Sequence, residues 1–338
     1  MYPLDQGMWG PTVRITHLRG ELDRLVNLDV IAGYRGARRM ALARYALSGR
    51  LRGLDGIYVE SSTFLPAEAD LAFLGLARAL GIGVLTYIRD AYQLFADYGR
   101  AASLRQRASR AAFRPMVRAL RAVSTALAFP TQGLADAVMG TDAGAVLLPP
   151  GAPPPVEVSR QSGADRLLFV GDARLPAQGA DRLIAAVERA RRDGVRVELE
   201  VVSRPGQEPT GPHPEWLHVR RAEGEEIHAL LPGVLATVIP RPRGAYNDLA
   251  LPIKLFDYLS YGRPLLVTDC AEQARVVREA DAGIVSNDTA EALGAAMGRV
   301  ASASAAELDA WSRNAHAAAR GASWAARAMR IRDLLVKG

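Results

Sequence analysis

One cysteine, Cys270, stands in 338 residues. A lone cysteine excludes a disulfide framework and any cysteine-rich zinc or iron–sulfur site. Lysine is almost as scarce: of 42 basic residues only Lys254 and Lys337 are lysines, and the other 40 are arginines. Long apolar runs are missing too. The best candidate, residues 71–88, is interrupted by Arg78, so no membrane-spanning helix is expected. The amino end lacks the charged-then-apolar order of a signal peptide, which leads us to expect a reducing, cytoplasmic setting. No Walker loop, no GxGxxG after a strand and no GxSxG elbow occurs. The five histidines show no metal-ligand spacing, so no metal site is expected. What remains is an ordinary soluble composition, 49% apolar and 23% charged, with room for about two domains.

Charge is unevenly placed. Residues 1–155 carry 18 arginines and 12 acidic groups, whereas residues 156–338 balance at 24 of each sign, so the first half holds the entire net charge of +6. Two helical-period segments concentrate it: Arg35, Arg38, Arg39, Arg44, Arg50 and Arg52, then Arg100, Arg105, Arg107, Arg110, Arg114, Arg118 and Arg121. Two readings stay open, a set of solvated helix faces or a surface that rests on anionic lipid. Nucleic acid is not expected, since no aromatics are interleaved with the arginines.

Short apolar runs alternate with amphipathic stretches along the whole chain. Strands are expected at 28–31, 56–60, 84–88, 125–130 and 146–148, then at 166–170, 197–202, 217–220, 236–239, 264–268 and 283–285. Helices are expected between them, and near-continuous apolar strands indicate parallel sheets covered on both faces. The segment Pro149-Pro150-Gly151-Ala152-Pro153-Pro154-Pro155 reads as a stiff connector. It separates an expected domain 1–150 from a second, 151–304, with residues 305–338 as two closing helices that cross back to the first domain. Two doubly wound domains joined this way are expected to face each other across a cleft lined by the carboxyl ends of strands. A doubly wound domain opens on a buried strand, yet Met1-Tyr2-Pro3-Leu4-Asp5-Gln6-Gly7 reads as the loop after one. The first strand is therefore expected either as a stub or upstream.

The densest segment runs from Leu251 to Asp269. Pro252 suits a first helical turn, and Gly262 with Pro264 ends the helix about nine residues on. Lys254, the only interior lysine, and Asp257 lie three apart, hence on one face near the positive helix end. An ammonium among free N–H groups suits a diphosphate, and a carboxylate one turn later suits paired sugar hydroxyls. A surface ion pair is the plainer alternative.

Pro252, Lys254, Leu255, Asp257, Tyr258, Leu259, Gly262 and Pro264 together resemble the donor-site helix of the GT-B glycosyltransferases, in particular the retaining glycosyltransferase family 4. Glu272 and the run 282–285 fit the continuation of that pattern. The run 168–171 with Gly179 looks like the family's strand–glycine turn, and the stretches 58–62 and 86–90 like its first-domain strand ends. The resemblance implies a GT-B fold, with sugar transferred from a nucleotide-sugar donor to an acceptor hydroxyl with retention and without a metal or other cofactor. Arg174, Arg204 and Lys254 would then stabilise charge on the leaving diphosphate. Gly7, Gly10, Gly171 and Gly179 would let backbone approach the donor, although for Gly7 and Gly10 a plain turn remains an equal alternative. Arg241, Arg243, Asn247 and Asp248 would line the sugar or phosphate pocket, and Asp90 beside Arg89 would face the acceptor or form an ordinary strand-end ion pair.

Departures from the pattern stand at three positions. Gln178 occupies the place of a lysine, Leu249 that of the first glutamate of a Glu-x7-Glu pair, and Asp257 that of the second. Arg174 or Arg204 would have to replace the lost cation. Asp248, Asn247 or backbone N–H groups near Leu249 would take over the sugar hydroxyls. Combined with the basic first half, the resemblance implies a glycan or lipid-linked acceptor at the inner membrane face. The rivals are a catalytically silent GT-B subunit that binds a glycan or partner, favoured by Gln178 and Leu249, and a sugar-nucleotide epimerase.

Overall fold

The computed structural model describes residues 10–33, 35–61, 68–95, 104–141, 144–211 and 213–336. They divide into two compact units, residues 1–151 with 324–338, and residues 152–323. Among the described residues no helix is long and apolar enough to cross a membrane.

The first unit is a parallel four-stranded sheet, β1 (Gly56–Glu60), β2 (Gly83–Tyr87), β3 (Ala126–Phe129) and β4 (Val146–Leu147), in that spatial order. Its helices are α1 (Gly10–Leu25), α2 (Arg35–Leu47), α3 (Glu68–Ala79), α4 (Leu104–Val123) and α5 (Gln132–Met139). Residues 28–31, expected as a strand, form none, and the described strands run in one direction with no reversal of order. A strand exists only through its neighbours' hydrogen bonds, and this apolar run has no paired neighbour. In α4 the period of 3.6 buries Phe113, Val117 and Leu120 and leaves Arg107, Arg114, Arg118 and Arg121 exposed.

The second unit is a six-stranded parallel sheet, β5 (Arg166–Val170), β6 (Glu198–Val202), β7 (Leu217–Arg220), β8 (Val234–Ile239), β9 (Leu265–Thr268) and β10 (Gly283–Ser286). The spatial order is β10-β9-β8-β5-β6-β7. Counted within the unit this is 3-2-1-4-5-6, the doubly wound Rossmann order, whose ligand crevice opens where β5 and β8 diverge. Helices α6 (Ala180–Arg192), α7 (Glu225–His228), α8 (Ile253–Tyr261), α9 (Ala271–Ala280), α10 (Ala290–Ala301) and α11 (Ala305–Gly321) complete the unit. Alternation along β5 accounts for the two-sided core. Leu167 and Phe169 join α6 and α10 on one face, and Leu168 joins α8 and α11 on the other.

The tail does not form a segment of its own. Helix α11 belongs to the second unit, while α12 (Trp324–Val336) belongs to the first, where it packs on α1 and on β1 and β2. Glycine makes that packing possible at two points. A Cβ at Gly56 would lie 2.7 Å from the Leu335 Cβ, and one at Gly151 would lie 2.5 Å from Trp324 Cδ2. Trp324 is 3% exposed and stacks on His17 with ring centroids 5.4 Å apart. Trp324→Ala should therefore cost about 3–5 kcal/mol, seen as a lower midpoint in chemical denaturation, with Trp324→Phe intermediate.

Candidate functional site

The pairing of β5 with β8 ends at Leu168 and Thr237, two residues before β5 itself ends. Val170 is left with a backbone N–H and C=O turned toward the gap. Two side chains of α8 take them. Lys254 Nζ donates to the Val170 carbonyl at 3.1 Å, and the Val170 N–H donates to the Tyr258 hydroxyl at 2.8 Å. Lys254 and Tyr258 are four apart, so one helix face supplies both. The lysine also donates to Gln178 Oε1 at 2.6 Å and lies 4.5 Å from the centroid of Phe169. Gln178, standing where the resemblance implies a cation, thus holds the remaining one by its amide oxygen.

Close backbone approach explains the glycines. A side chain at Gly171 would sit 3.0 Å from Lys254 Nζ. Gly179, at φ 74°, lies against the Pro240 carbonyl so tightly that any Cβ would overlap it. The turn from β5 to α6 is thereby pressed onto the loop that follows β8.

That loop is fixed from inside. Arg241 is buried; it donates to the Ala250 carbonyl at 3.1 Å and to Asn247 Oδ1. Asn247 Nδ2 donates in turn to the Pro242 carbonyl at 2.8 Å. Both groups hold the loop's shape, and Arg241 also acts on the lysine through space. Arg243 grips Asp248 with two bonds of 2.9 and 3.0 Å and reaches Asp269 at 3.4 Å. Leu249 lies in the turn between them, its N–H donating to the Tyr246 carbonyl at 3.1 Å.

Electrostatics at α8 are unusual. Lys254 keeps a little solvent access but is ringed by protein, and burial together with the Arg241 charge brings its pKa down to about 7, against a smaller opposing pull from Asp172. Asp257 is pushed up to about 7 by burial alone. Among the described residues none donates to its carboxylate, and it makes no ion pair with Lys254, so the plain i,i+3 pair is not formed.

The remaining expected residues are placed elsewhere. Arg174 is exposed, with its N–H on Asp172 Oδ1 at 2.9 Å and its Nε on the Glu208 carbonyl at 3.1 Å. Arg204 pairs with Glu223 at 3.3 Å. Asp90 and Gly10 belong to the first unit, where Asp90 accepts from Arg89 Nε at 2.6 Å and Gly10 opens α1. Gly7 lies outside the described residues. Sequence reasoning missed Asp172, Phe169, the role of the Tyr258 hydroxyl, and Asp288, which accepts from the Arg243 N–H at 2.8 Å and from Arg182 at 2.7 Å. Among the described residues no three His, Cys, Asp or Glu side chains are grouped to hold a metal ion.

Residues 164–303 match the family described as Glycosyl transferases group 1. Over that stretch the chain is similar to glycosyltransferases. The match covers most of the second unit, including every element of the Lys254 site. Solved structures agree on the fold. WaaG, a glycosyltransferase involved in lipopolysaccharide biosynthesis, is 14% identical, with 100% of this chain and 98% of that one covered at a TM-score of 0.64. A UDP-forming α,α-trehalose-phosphate synthase from Burkholderia xenovorans, in complex with glucose-6-phosphate, is 14% identical over 90% of this chain and 78% of that one, TM-score 0.59. Sucrose-phosphate synthase from Thermosynechococcus elongatus is 14% identical over 90% and 79%, TM-score 0.58. No curated protein matches the chain in sequence. The chain thus has the GT-B architecture of two parallel-sheet, Rossmann-like domains.

Two measurements test the packing around α8. Tyr258→Phe leaves the Val170 N–H without its partner and should cost about 1–3 kcal/mol in denaturant unfolding. Asp257 titrates near 7 when folded, above its ordinary 3.8, so the stability linked to its neutral form is full below about pH 4 and lost as pH rises through 7. Asp257→Asn should accordingly flatten the fall in melting temperature over that window.

Proposed function

We propose that the enzyme moves a sugar from a nucleotide-sugar to an acceptor hydroxyl with retention, the donor diphosphate sitting over the amino end of α8 against Lys254. The observation that carries this reading is the single interior ammonium held at the β5–β8 divergence, in the first turn of a helix whose free N–H groups favour an anion. Charge grows on the diphosphate as the glycosidic bond breaks and the sugar becomes oxocarbenium-like. A fixed cation and a helix end stabilise that charge without reorganising. Arg174 and Arg204, on the loops after β5 and β6, are assigned as further cations for the diphosphate, which would have to draw them from the Glu208 carbonyl and from Glu223. In this reading no metal takes part, and Asp257, pushed up to about 7 by burial, is protonated in part at neutral pH and in that form donates to a sugar or ribose oxygen. Asp90, held by Arg89 at the carboxyl end of β2, is assigned to the acceptor.

The acceptor we infer is a glycan or lipid-linked glycan at an anionic membrane face. The exposed arginines of α4 support it, as does the involvement of the similar protein WaaG in lipopolysaccharide biosynthesis. Flotation on anionic liposomes should be lost when Arg107, Arg110 and Arg114 become alanine, and absence of binding at low salt in the parent enzyme would remove the membrane from the reading.

Calorimetry tests the donor site. One of UDP, GDP and ADP should bind in the micromolar range, weakened about tenfold or more by Lys254→Ala. At pH 8 the free amine is mostly neutral and a bound diphosphate favours its ammonium form, so binding should take up a proton. That uptake is read as a buffer-dependent enthalpy that vanishes in the variant. Turnover of the cognate donor should survive EDTA. No binding by any of the three nucleotides would point instead to a silent subunit.

A further inference from the structure

Side-chain amines are rare in this chain. Of 42 basic residues 40 are arginines, whose guanidinium keeps its proton, and Lys337 stands one residue from the carboxyl end. Lys254 is therefore the one interior amine, and its niche suits the free base. A neutral amine has two N–H bonds to donate and one lone pair, whereas an ammonium has three N–H bonds. Two acceptors are present, the Val170 carbonyl at 3.1 Å and Gln178 Oε1 at 2.6 Å. For a third N–H the niche offers only the ring of Phe169, with its centroid 4.5 Å from Nζ. Both N–H bonds of the free base are thus satisfied, and among the described residues no group donates to its lone pair. The charges nearby act in the same sense. Burial and the Arg241 guanidinium bring the pKa to about 7 against a smaller pull from Asp172, so at pH 8 most of the amine is unprotonated.

One side of this amine is open. Gly171 places no side chain there: a Cβ would sit 3.0 Å from Nζ, 3.6 Å from Phe169 Cζ and 3.7 Å from Gln178 Oε1. Lys254 also keeps some solvent access, and it lies in the first turn of α8, whose free N–H groups attract a phosphate. A desolvated free base is a nucleophile. The small electrophile that fits both the amine and a phosphate beside it is an acyl phosphate, in which a single oxygen separates the phosphorus from the carbonyl carbon. An aldehyde or a thioester without a phosphate fits the amine alone.

We propose that Lys254 is a modification site, acylated directly by small acyl phosphates that dock where the donor phosphate is read to sit, and that the modification closes the site. The docking position rests on the donor reading given above; the reactivity of the amine does not. The nitrogen attacks the carbonyl carbon and a C–N bond forms. The bond from that carbon to the bridging oxygen breaks, inorganic phosphate leaves with the electron pair, and the proton lost from nitrogen passes to phosphate or water. The amide that results carries no charge and cannot take up a proton when an anion arrives, so the ammonium is lost to any later ligand.

Acetyl phosphate is the probe, and Lys337, the only other lysine, is the internal reference. In residues 1–338 at pH 8, peptide mass spectrometry should show Lys254 acetylated at least about tenfold faster than Lys337. Acetic anhydride, which carries no phosphate, should give a ratio at least about fivefold smaller. Inorganic phosphate should slow the reaction of Lys254 with acetyl phosphate and leave its reaction with the anhydride unchanged. Protein acetylated at Lys254 should bind its nucleotide about tenfold or more weakly in calorimetry, as Lys254→Gln does. The proposal fails if Lys254 reacts no faster than Lys337, or if inorganic phosphate does not compete. Nucleotide binding by a protein whose Lys254 stays unreactive overturns the modification and leaves the donor reading standing. Selective, phosphate-sensitive acetylation of a protein that binds no nucleotide supports the modification and removes the donor reading.

Discussion

Gly179 against the Pro240 carbonyl is the contact on which the architecture around Lys254 depends. The turn that leaves β5 and the loop that leaves β8 must meet for a crevice to have a floor, and only a residue without a side chain lets them. Once they meet, the rest is constrained in sequence. Gln178 is delivered to the lysine, Asn247 finds the Pro242 carbonyl, and Arg241 is enclosed with its guanidinium spent on the loop. Helix α8 then closes the gap left by the shortened β8 pairing, using Lys254 and Tyr258 as substitutes for strand hydrogen bonds. A structural duty thus falls on the ammonium to which the proposed reading gives the chemical one.

That double duty explains why the position is lysine in a chain that uses arginine almost everywhere else. A guanidinium is charged at every accessible pH and needs a broad fork of acceptors, whereas this niche offers one carbonyl, one amide oxygen and an aromatic face. A compact amine fits those three and can give up its proton when no anion is present. Asp257, one turn on, is pushed up to about 7 by the same enclosure. Near neutral pH both groups are therefore partly uncharged, and in the proposed reading a bound anion draws the amine to its ammonium form.

Much of this was legible in the residues. The Pro252 start, the Gly262 stop and the Lys254 position were readable because local rules fix them, and the alternation of apolar runs announced both parallel sheets. What escaped depends on long-range partners. Tyr258 has no sequence mark that its hydroxyl will cap Val170, 88 positions away, and Asp172 looks like any turn residue. Residues 28–31 carry a strand's pattern but pattern alone makes no strand, since the bonds come from a neighbour. Arg174 and Arg204 fit a diphosphate by charge, while the structure ties them to the Glu208 carbonyl and to Glu223. Charge can be counted along a chain, but engagement cannot.

The placement of α12 bears on how the chain is made. The first unit's helix α1 leans on a helix that begins at Trp324, and Leu335 covers the first residues of β1 and β2. During synthesis the first strand of that sheet emerges well before its cover. At ordinary elongation rates of about 5–20 residues per second, the roughly 260 residues between β1 and α12 take tens of seconds to appear. The second unit, contiguous from 152 to 323, has all its parts before that moment. The second unit is thus free to fold first, and the first unit waits, with an apolar face exposed, for α12. Even a short truncation at the far end would be felt in the half of the molecule that was made first.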